Sequence, residues 1–571
     1  NENASDYDDT RESAGSGPYK LYLEGTIFRS MPIPGDDGYG RYDGTSEIFD
    51  GDIEIGLELR DGGSAMAAPD WVKLSHCAVE PDDPNKIVAF EGHTDYHTAQ
   101  GFGKNAKGGR YGHVYTVTST GDDGDDPATL RYAVESPVPR TIIFALDGGD
   151  GTITLTEPLQ AKAPRMTIAG QTAFRNGAEG MCLKGNGLII QGDDMVVRYI
   201  RSRPGPAGGG NVDAITIADG SSNVIVDHCS TSFSTDTLID VTGENTTPDR
   251  LATVQNCIMA WPLDRNNHIE KGELQNHGYG SLIRAGYGSR ITYWRNLYAH
   301  CRGRCPRPGA WFTDDSDGMQ LDFINNVIFA WWGQGAGNDD GADGFPTNGK
   351  YNFVSNYYRG GADADWGERT FFSISNPNAK GWVSGNRIKL PPNNGPITPG
   401  VDDPEGRSQY DDDFITYTEN NKDYAATRQT FEASGQFGSG EYAVPILPQA
   451  PAGAPQGEQS VKADVGASMK RDRLDLDLLG EDGTTGEYKN RHGNLINNPS
   501  EVGGWPMLST ATPPEDADKD GVPDDREPTA PANRDPEWRN DPRNAQLDDN
   551  GDGRTNLEEY LTEIVSESSS L

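Results

Sequence analysis

Two stretches near the end of the chain carry oxygen-bearing side chains at the spacing of a calcium-binding loop. In each, aspartate or asparagine fills loop positions 1, 3 and 5, a glycine (Gly521 or Gly553) fills position 6 and a glutamate fills position 12. Calcium takes about six to eight oxygen ligands, and the glycine permits the sharp turn that wraps them around one ion. A merely solvated acidic tail would not place both glycines and both glutamates. The expected ligands are Asp516, Asp518, Asp520, Asp524 and Glu527 in the first loop and Asp548, Asn550, Asp552 and Glu559 in the second.

A further acidic set lies in the middle of the chain, where Asp213, Asp236 and Asp240 accompany short β-like runs. Residues four apart on a strand share a face, so Asp236 and Asp240 are expected to point the same way, with Thr237 and Ile239 turned inward. If the runs are neighbouring strands, about 4.8 Å apart, their outward carboxylates form an oxygen site for calcium. Ordinary exposed aspartates on an acidic protein are the alternative.

The segment 302–307 concentrates three arginines, Arg302, Arg304 and Arg307, within a short stretch. The planar guanidinium group is suited to binding carboxylates. The cluster is notable because the chain has only 49 basic residues against 88 acidic ones. It indicates either a binding site for an anionic ligand or a structural salt-bridge cluster.

The formal charge of the chain is −39, and a field of that sign repels nucleic acids and anionic membranes. A nucleic-acid partner is therefore excluded, and an acidic substrate requires arginines or bound metal ions at its site. Aspartate outnumbers glutamate among the acidic residues, and lysine is the rarer of the two basic types. Such a surface stays hydrated in concentrated salt. This indicates a halophilic protein, with an ordinary acidic secreted protein as the alternative.

The sequence shows neither a membrane span nor a redox or zinc motif. No apolar run approaches the roughly 20 residues of a membrane helix, and the chain starts NENASDYDDT. Such a start is typical of a processed chain, secreted or held at the cell surface. The six cysteines form no CxxC pair, and Cys301 and Cys305 are either a local disulfide or two buried thiols.

Short apolar runs, each centred on a polar residue, recur at a nearly constant interval with one wider gap. They are rich in Val, Ile, Tyr and Phe and are followed by turn residues, so strands are expected rather than helices. A strand repeat of about 30 residues predicts a solenoid of stacked rungs, which we interpret as a right-handed parallel β-helix with an asparagine ladder. Unrelated β-sandwich domains would not explain the regular spacing. The central residues are Arg198, Asp227, Asn256, Asn296, Asn326, Asn356 and Asn386.

Composition divides the remainder of the chain around this repeat. Alternating β-like stretches precede it, and Pro-rich stretches such as LPPNNGPITPG, which have no independent packing, follow it. The expected domains are a small N-terminal β region (1–96), the β-helix (97–390), a Pro- and Gly-rich wrapping segment with a linker (391–510) and the tandem calcium loops (511–571).

Several passages resemble bacterial and archaeal pectate lyases of polysaccharide lyase family 1. They include MTIAGQTA, VVRYIRSRPG, NVIVDHCSTSFSTD, HGYGSLIRAG, AHCRGRCPRPG and EVGGWP, and the resemblance covers roughly residues 97–571. It implies a right-handed parallel β-helix, calcium as the cofactor and an acidic, polygalacturonate-like polysaccharide as the substrate. Such enzymes cut the polymer by β-elimination, and tandem calcium loops are often appended to them.

The resemblance assigns roles to residues of both central clusters. Arg304, in an Arg-x-Pro segment, matches the catalytic arginine that acts as the base, and Asp213, Asp236 and Asp240 match calcium ligands. Because a free guanidinium stays protonated far above neutral pH, the resemblance implies an alkaline optimum. The neighbouring Arg302 and calcium itself are expected to disfavour the charge on Arg304.

Two departures from the family pattern affect substrate binding. A His-x-Lys motif becomes His277-Gly-Tyr279, and the arginine expected three residues after the Arg-x-Pro proline is Gly309. Substrate binding is therefore expected from Arg284, Arg302 and Tyr279, and the alternative bases are Arg307 and His277.

Two other classes of protein fit the same residues. A catalytically inactive, calcium-stabilised carbohydrate-binding or structural solenoid is favoured by the missing lysine. A polysaccharide hydrolase would need two carboxylic acids, which the three central aspartates can supply.

Overall fold

Three sheets of mainly parallel strands run through the central part of the protein. The computed structural model describes residues 88–92, 94, 97–242, 249–270, 272–310, 318–332, 335–339, 347–359, 370–374, 376–389, 433–447, 456–480, 495–527, 542, 544–548, 550 and 552–568, together with short strands before residue 76 and between residues 407 and 417.

Sheet A has ten parallel strands, each paired with the equivalent strand of the next rung. Its strands are His113–Val117, Arg140–Phe144, Met166–Ala169, Met195–Arg198, Val224–Asp227, Leu251–Gln255, Arg290–Trp294, Met319–Ile324, Gly349–Val354 and Ala379–Ser384.

Sheet B also has ten strands, the last of which is antiparallel to its neighbour. They are Thr152–Thr154, Cys182–Lys184, Arg201–Ser202, Ser230–Thr231, Ile258–Ala260, Leu297–Ala299, Val327–Phe329, Tyr357–Arg359, Arg387–Lys389 and Arg407–Ser408.

Sheet C, of six parallel strands, carries most of the candidate site. Its strands are Leu159–Ala161, Leu188–Ile190, Ile215–Ile217, Ile239–Val241, Leu282–Ala285 and Arg307–Ala310. A separate parallel sheet contains Gly335–Asp339, Thr370–Ile374 and Ile415–Tyr417, and an antiparallel hairpin contains Ile269–Glu270 and Glu273–Leu274.

In the described ranges, four α-helices lie around the sheets: α1 (Leu130–Glu135), α2 (Gln456–Asp464), α3 (Arg473–Leu479) and α4 (Asn556–Ser568). Short 3-10 turns occupy Gly170–Gly177, Pro206–Gly208, Gly440–Tyr442, Pro499–Val502 and Asn544–Gln546. No helix of the described ranges is long and apolar enough to cross a membrane.

The core lies between the three sheets and is built from one inward apolar residue after another along the stack. In sheet C, for example, Ile190, Ile217 and Val241 follow one another in register and are fully buried. Each rung covers the apolar side chains of the rung before it, so burial grows by repetition. This arrangement confirms the predicted parallel β-helix architecture.

The asparagine ladder lines up on consecutive rungs. The backbone N–H of Asn296 donates to Oδ1 of Asn326, that of Asn326 to Asn356, and that of Asn356 to Asn386, each over 2.9 Å. Because all four residues are buried, the ladder satisfies polar groups that have no access to water. The predicted ladder is therefore confirmed for these four positions.

The first three members of the repeat are not in that ladder, since Oδ1 of Asn296 accepts from the amide of Cys257 and not from that of Asn256. Arg198 pairs in register with Asp227, and Asp227 pairs with Gln255 rather than with Asn256. At the N-terminal end of the repeat, the expected alignment of Asp227 with Asn256 is therefore wrong by one residue. A buried ion pair, with Arg198 Nε 2.9 Å from Asp227 Oδ2, takes the place of an amide ladder.

Segments that follow the repeat lie against it. Trp294 donates its indole N–H to the Pro445 carbonyl, and the side chain of Asn325 donates to the Leu447 carbonyl. Helix α3 and its N-cap supply Asp475 and Asp472, which pair with the buried Arg203 that follows a strand of sheet B.

The described cysteines are free and buried, so Cys301 and Cys305 are two thiols and not a disulfide.

In the N-terminal region, IEIGLEL contributes the strand Asp52–Leu57, which pairs antiparallel with Asp70–Ser75. The stretch YKLYLEGTIF lies outside the described residues.

Candidate active site

Sheet C brings the central carboxylates together on adjacent rungs. Asp213 lies two residues before the strand Ile215–Ile217, and Asp240 lies inside the next strand, opposite Thr216. Thr216 donates to Asp213 Oδ2 over 2.9 Å, and the Leu282 amide of the following rung donates to Asp240 Oδ1 over 2.7 Å. Local hydrogen bonds thus fix both carboxylates.

Thr237 lies between these two carboxylates. Its amide and hydroxyl reach Asp213 Oδ1 over 3.0 Å and 2.5 Å, and the same hydroxyl lies 2.5 Å from Asp240 Oδ2. The sequence predicted that Thr237 and Ile239 both point towards the core, which is confirmed for Ile239. It is wrong for Thr237, because the chain forms no regular strand until Ile239. The strand alternation therefore does not apply at position 237.

The carboxylates disfavour each other's charge. Burial and the nearby Asp236 raise the pKa of Asp213 to about 6. Burial and Asp213 raise the pKa of Asp240 well above its usual value. Like charges held close together behave in this way, and a divalent cation would relieve the repulsion.

Asp236 faces cationic and imidazole groups as well as the other aspartates. Its Oδ1 lies 2.9 Å from Nδ1 of His277 and 3.5 Å from Nη1 of Arg304. Burial alone would raise the pKa of Asp236, but these two neighbours outweigh it and the pKa is lowered. Asp236 therefore connects the carboxylate pair to the arginine.

Arg304 is held in a constrained position. Its guanidinium lies over the ring of Tyr279, 4.1 Å from the ring centroid. Its backbone has φ of +55°, in the left-handed region that side chains other than glycine rarely adopt. Tyr279 also makes an edge contact with His277, with centroids 4.6 Å apart. Tyr279 thus contacts both Arg304 and His277.

An insertion explains the one wide interval of the repeat, which separates Asn256 from Asn296. Between them the chain makes the hairpin Ile269–Glu270 and Glu273–Leu274, which the other repeats lack in the described ranges. The hairpin places His268 against His277, with stacked rings whose centroids are 3.6 Å apart. His268 was not among the residues selected from sequence, and the wider interval was the only signal for it.

Arg302 does not join the carboxylate cluster. It forms a two-point ion pair with Asp264, whose second contact, from Nη2 to Oδ2, is 2.9 Å long. Its guanidinium also lies over the ring of Trp332, 4.4 Å from the centroid. Asp264 was likewise missed, because it lies far from its partner along the chain and no motif connects the two.

Arg284 and Arg307 lie on the last two strands of sheet C. Arg284 is opposite Gly309, and Arg307 is opposite Leu282, whose amide donates to Asp240. The strands therefore place these two arginines on the rungs next to the carboxylates.

In the first C-terminal loop, the predicted ligands point together. One carboxylate oxygen of Asp516, one of Asp520 and both of Asp518 and Glu527 are buried without a hydrogen-bond donor. Burial and the neighbouring acids raise the pKa values of Asp518 to about 6, Asp520 to about 7 and Glu527 to about 8. Asp524 is turned to the loop backbone, where it accepts from the Ala517 amide over 2.7 Å. This donor set fits calcium.

The second loop has the same backbone turn but different side-chain contacts. Gly553 has φ of +94°, and its amide donates to Asp548 Oδ2 over 2.8 Å. Asp552 pairs with Arg554, and the Asn550 side-chain amide donates to Glu559. Side chains of its predicted ligands are therefore engaged within the loop.

Both loops lie on the outside of sheet A. Val522 of the first loop and Leu557 of α4 pack with Ile143 and Ala169 of the solenoid. They form a site separate from the sheet C cluster.

Comparison with curated proteins places the chain among known enzymes. It is 32% identical over 444 residues to the protein named "Probable pectate lyase C" of Aspergillus terreus, across 77% of this chain and 87% of that protein. It is 30% identical over 484 residues to the protein of the same name from Aspergillus flavus, across 84% and 95%. This β-helix is therefore a polysaccharide lyase. Within that class, the chain belongs to the pectate lyase family.

Solved structures similar to this fold include the thermostable pectate lyase PL 47, with 15% identity and a TM-score of 0.43 over 68% of this chain and 100% of that one. Another is pectate lyase Bsp165PelA from Bacillus sp. N165, with 14% identity and a TM-score of 0.38 over 64% and 98%. No protein-family model matches the chain.

Proposed function

We propose that this protein is a calcium-dependent lyase that cleaves a pectate-like polyuronate by β-elimination. The names of the curated relatives support pectate as the polymer. The observation that carries the proposal is the contact of Asp236 with Arg304 beside the Asp213 and Asp240 pair. This arrangement puts a candidate base next to a group of carboxylates that can bind a cation.

Asp213, Asp236 and Asp240 would hold the calcium ion. Their oxygens are the hard donors that calcium prefers. A bound cation would also relieve the repulsion between the carboxylates. Bound there, calcium would neutralise the substrate carboxylate and so favour loss of the adjacent proton. The negative protein would thereby bind a negative polymer.

Arg304 is the proposed base. In its neutral form it takes the proton from C5, the C5–H electron pair becomes the C4–C5 double bond, and the glycosidic oxygen leaves C4 with the electrons of the broken bond. That oxygen then takes a proton from solvent and Arg304 returns its proton to solvent, so no water is consumed overall. The Tyr279 ring and the strained backbone hold the guanidinium in one orientation.

Arg284 and Arg307 are the proposed partners of substrate carboxylates, since they extend the site along the stack. Arg302, paired with Asp264, is proposed to hold the hairpin insertion in place while its aliphatic stem and Trp332 border the sugar path. His277, whose Nδ1 lies 2.9 Å from Asp236 Oδ1, is proposed to help keep Asp236 ionised, since it lowers the pKa of that carboxyl.

The two C-terminal loops are proposed as structural calcium sites that fasten α4 to sheet A. The unpartnered carboxylate oxygens of the first loop support this role most strongly. We further propose that the enzyme is halophilic and acts outside the cell, since its surface charge suits high salt and its proposed substrate is a large external polymer.

The proposal is tested by incubating the protein with polygalacturonate in calcium or in a chelator and following ultraviolet absorbance of the unsaturated product. Absorbance that rises only with calcium supports it. New reducing ends without this absorbance would identify a hydrolase, and binding without any cleavage would identify an inactive solenoid.

A further inference from the structure

The hairpin insertion places two imidazoles next to Asp236, which is also a proposed calcium ligand. Ligand atoms of Asp236, His268 and His277 all lie within 4.8 Å of one another. His268 and His277 are 3% and 7% exposed, so both rings are withdrawn from bulk water. The proposed β-elimination makes no use of His268.

The orientation of His268 is that of a metal ligand. Its Nδ1–H donates to the Gly210 carbonyl over 2.7 Å, which leaves the lone pair on Nε2. Metal-binding histidines are commonly fixed in this way by a carbonyl or carboxylate on the other ring nitrogen. Glu270 Oε1 lies 3.3 Å from Nε2 and is mostly exposed, so it can move aside or become a further ligand.

The contact between His277 and Asp236 is short without being a hydrogen bond. Nδ1 of His277 and Oδ1 of Asp236 are 2.9 Å apart, and both atoms are buried without a hydrogen bond of good geometry. Two buried ligand atoms this close together can bind the same metal ion. The parallel stacking of His268 on His277 brings a second ring nitrogen to the same place.

We propose that His268, His277 and Asp236 form a second metal site, which takes zinc or a similar transition ion. Nitrogen and oxygen donors in this ratio suit zinc, whereas calcium prefers oxygen alone. Two ligands of one zinc ion, each at about 2.1 Å, are at most about 4.2 Å apart, so a small side-chain rotation closes the set. Water completes the coordination.

Occupation of this site would inhibit the enzyme, an effect that rests on the proposed function. Zinc would take Asp236 away from Arg304 and from calcium. Binding and inhibition are therefore measured separately.

Binding is tested on the full chain with Co²⁺ as the probe, by visible absorption in calcium-free buffer. Nitrogen-ligated cobalt of low coordination number absorbs much more strongly than cobalt in an all-oxygen octahedral site, so the C-terminal loops contribute little. The wild-type protein is expected to give the strong bands, and His268→Ala to lower the Co²⁺ affinity at least about tenfold. His113→Ala, a change at an exposed histidine of sheet A, is the matched control and is expected to keep them.

Because His268 is buried, His268→Gln is measured as well. Glutamine can still donate to the Gly210 carbonyl, fills more of the space and offers no ring nitrogen. Loss of the strong bands in both variants, with circular dichroism like that of wild type, supports the site. The absence of strong bands in wild type, or bands unchanged in His268→Gln, would overturn it.

Inhibition is tested by adding Zn²⁺ to the enzyme at saturating polygalacturonate and calcium. Each protein is compared with its own zinc-free rate. Inhibition that weakens at least about tenfold in His268→Gln and not in His113→Ala supports a regulatory role. Zinc binding without inhibition, or with activation, would leave the metal site standing and refute the inhibition. Failure to cleave polygalacturonate in calcium, with or without zinc, would refute the proposed function instead.

Discussion

Arg284 and Gly309 face each other across adjacent strands of sheet C, and the Arg284 side chain lies within van der Waals reach of the Cβ position of the glycine. A Cβ added at Gly309 would lie 3.7 Å from Nε of Arg284 and 3.7 Å from Oδ1 of Asp339. Position 309 is where the family pattern has an arginine. The guanidinium of Arg284 therefore reaches the region that the missing side chain would occupy, from one rung away.

We expect Arg284→Ala to raise KM for polygalacturonate by about tenfold to a hundredfold, because a charged contact to a substrate carboxylate is lost. The double variant Arg284→Ala with Gly309→Arg is expected to recover part of the affinity, since it restores a guanidinium on the neighbouring strand. Steady-state kinetics measure both. A KM that stays at the wild-type value in Arg284→Ala would remove this residue from the binding site.

Arg304→Lys is expected to lower kcat by about a hundredfold to ten-thousandfold, the contribution typical of a positioned base. KM should change little, because the loss falls on the transition state. Arg290→Lys, at the start of a strand of sheet A, is the control and should retain wild-type turnover. Normal turnover in Arg304→Lys would move the base to Arg307 or His277.

Asp236→Asn is expected to raise the calcium concentration needed for half-maximal activity, because one anionic ligand is lost. Excess calcium should restore part of the rate, although the contact with Arg304 is also weakened. Calcium titration of the initial rate measures this. An unchanged calcium requirement would show that Asp236 is not a ligand.

The two C-terminal loops provide a matched pair of variants. Glu527→Gln should weaken calcium-dependent protection of α4 from proteases more than Glu559→Gln does, since Glu527 is buried without a donor and Glu559 is engaged by Asn550. Limited proteolysis with and without chelator compares them, because ion binding and ordering of the segment are linked. Equal sensitivity of wild type in calcium and in chelator would contradict the structural role.

Asp227→Asn should destabilise the solenoid by about 3 kcal/mol or more at pH 7, because it leaves Arg198 buried without its anionic partner. Burial opposes ionisation of Asp227, but His228 and Arg198 outweigh it and hold its pKa well below the usual value. A lowered pKa stabilises the folded state above about pH 4, and that stabilisation is lost as the pH falls further. The difference between wild type and variant in denaturant unfolding should thus shrink below about pH 4. Glu567→Gln, in an exposed pair with Arg526, is the control and should change stability far less.

The repeat made the solenoid predictable from sequence because a regular spacing leaves few other folds. The ladder from Asn296 to Asn386 follows directly, since one residue type recurs at the same interval from rung to rung. Asp227 is out of register with Asn256 because Asp227 is the last residue of its strand, whereas Asn256 follows its strand and is the left-handed turn residue, with φ of +51°.

The site was predictable only where its residues form a local pattern. Asp213, Asp236, Asp240 and Arg304 were found and lie near one another. The pairing of Arg302 with Asp264 and the stacking of His268 on His277 depend on how the hairpin folds back. No sequence spacing encodes that path.

Sheet B ends with a strand that runs the opposite way. Arg407–Ser408 pairs antiparallel with Arg387–Lys389, the last parallel strand. A stack of parallel rungs is otherwise a template onto which a second copy could add its own first rung and extend indefinitely. Because the reversed strand occupies the end of sheet B, the first rung of a second copy cannot pair there in the direction of the stack. The strand that ends this sheet therefore also opposes end-to-end polymerisation through it.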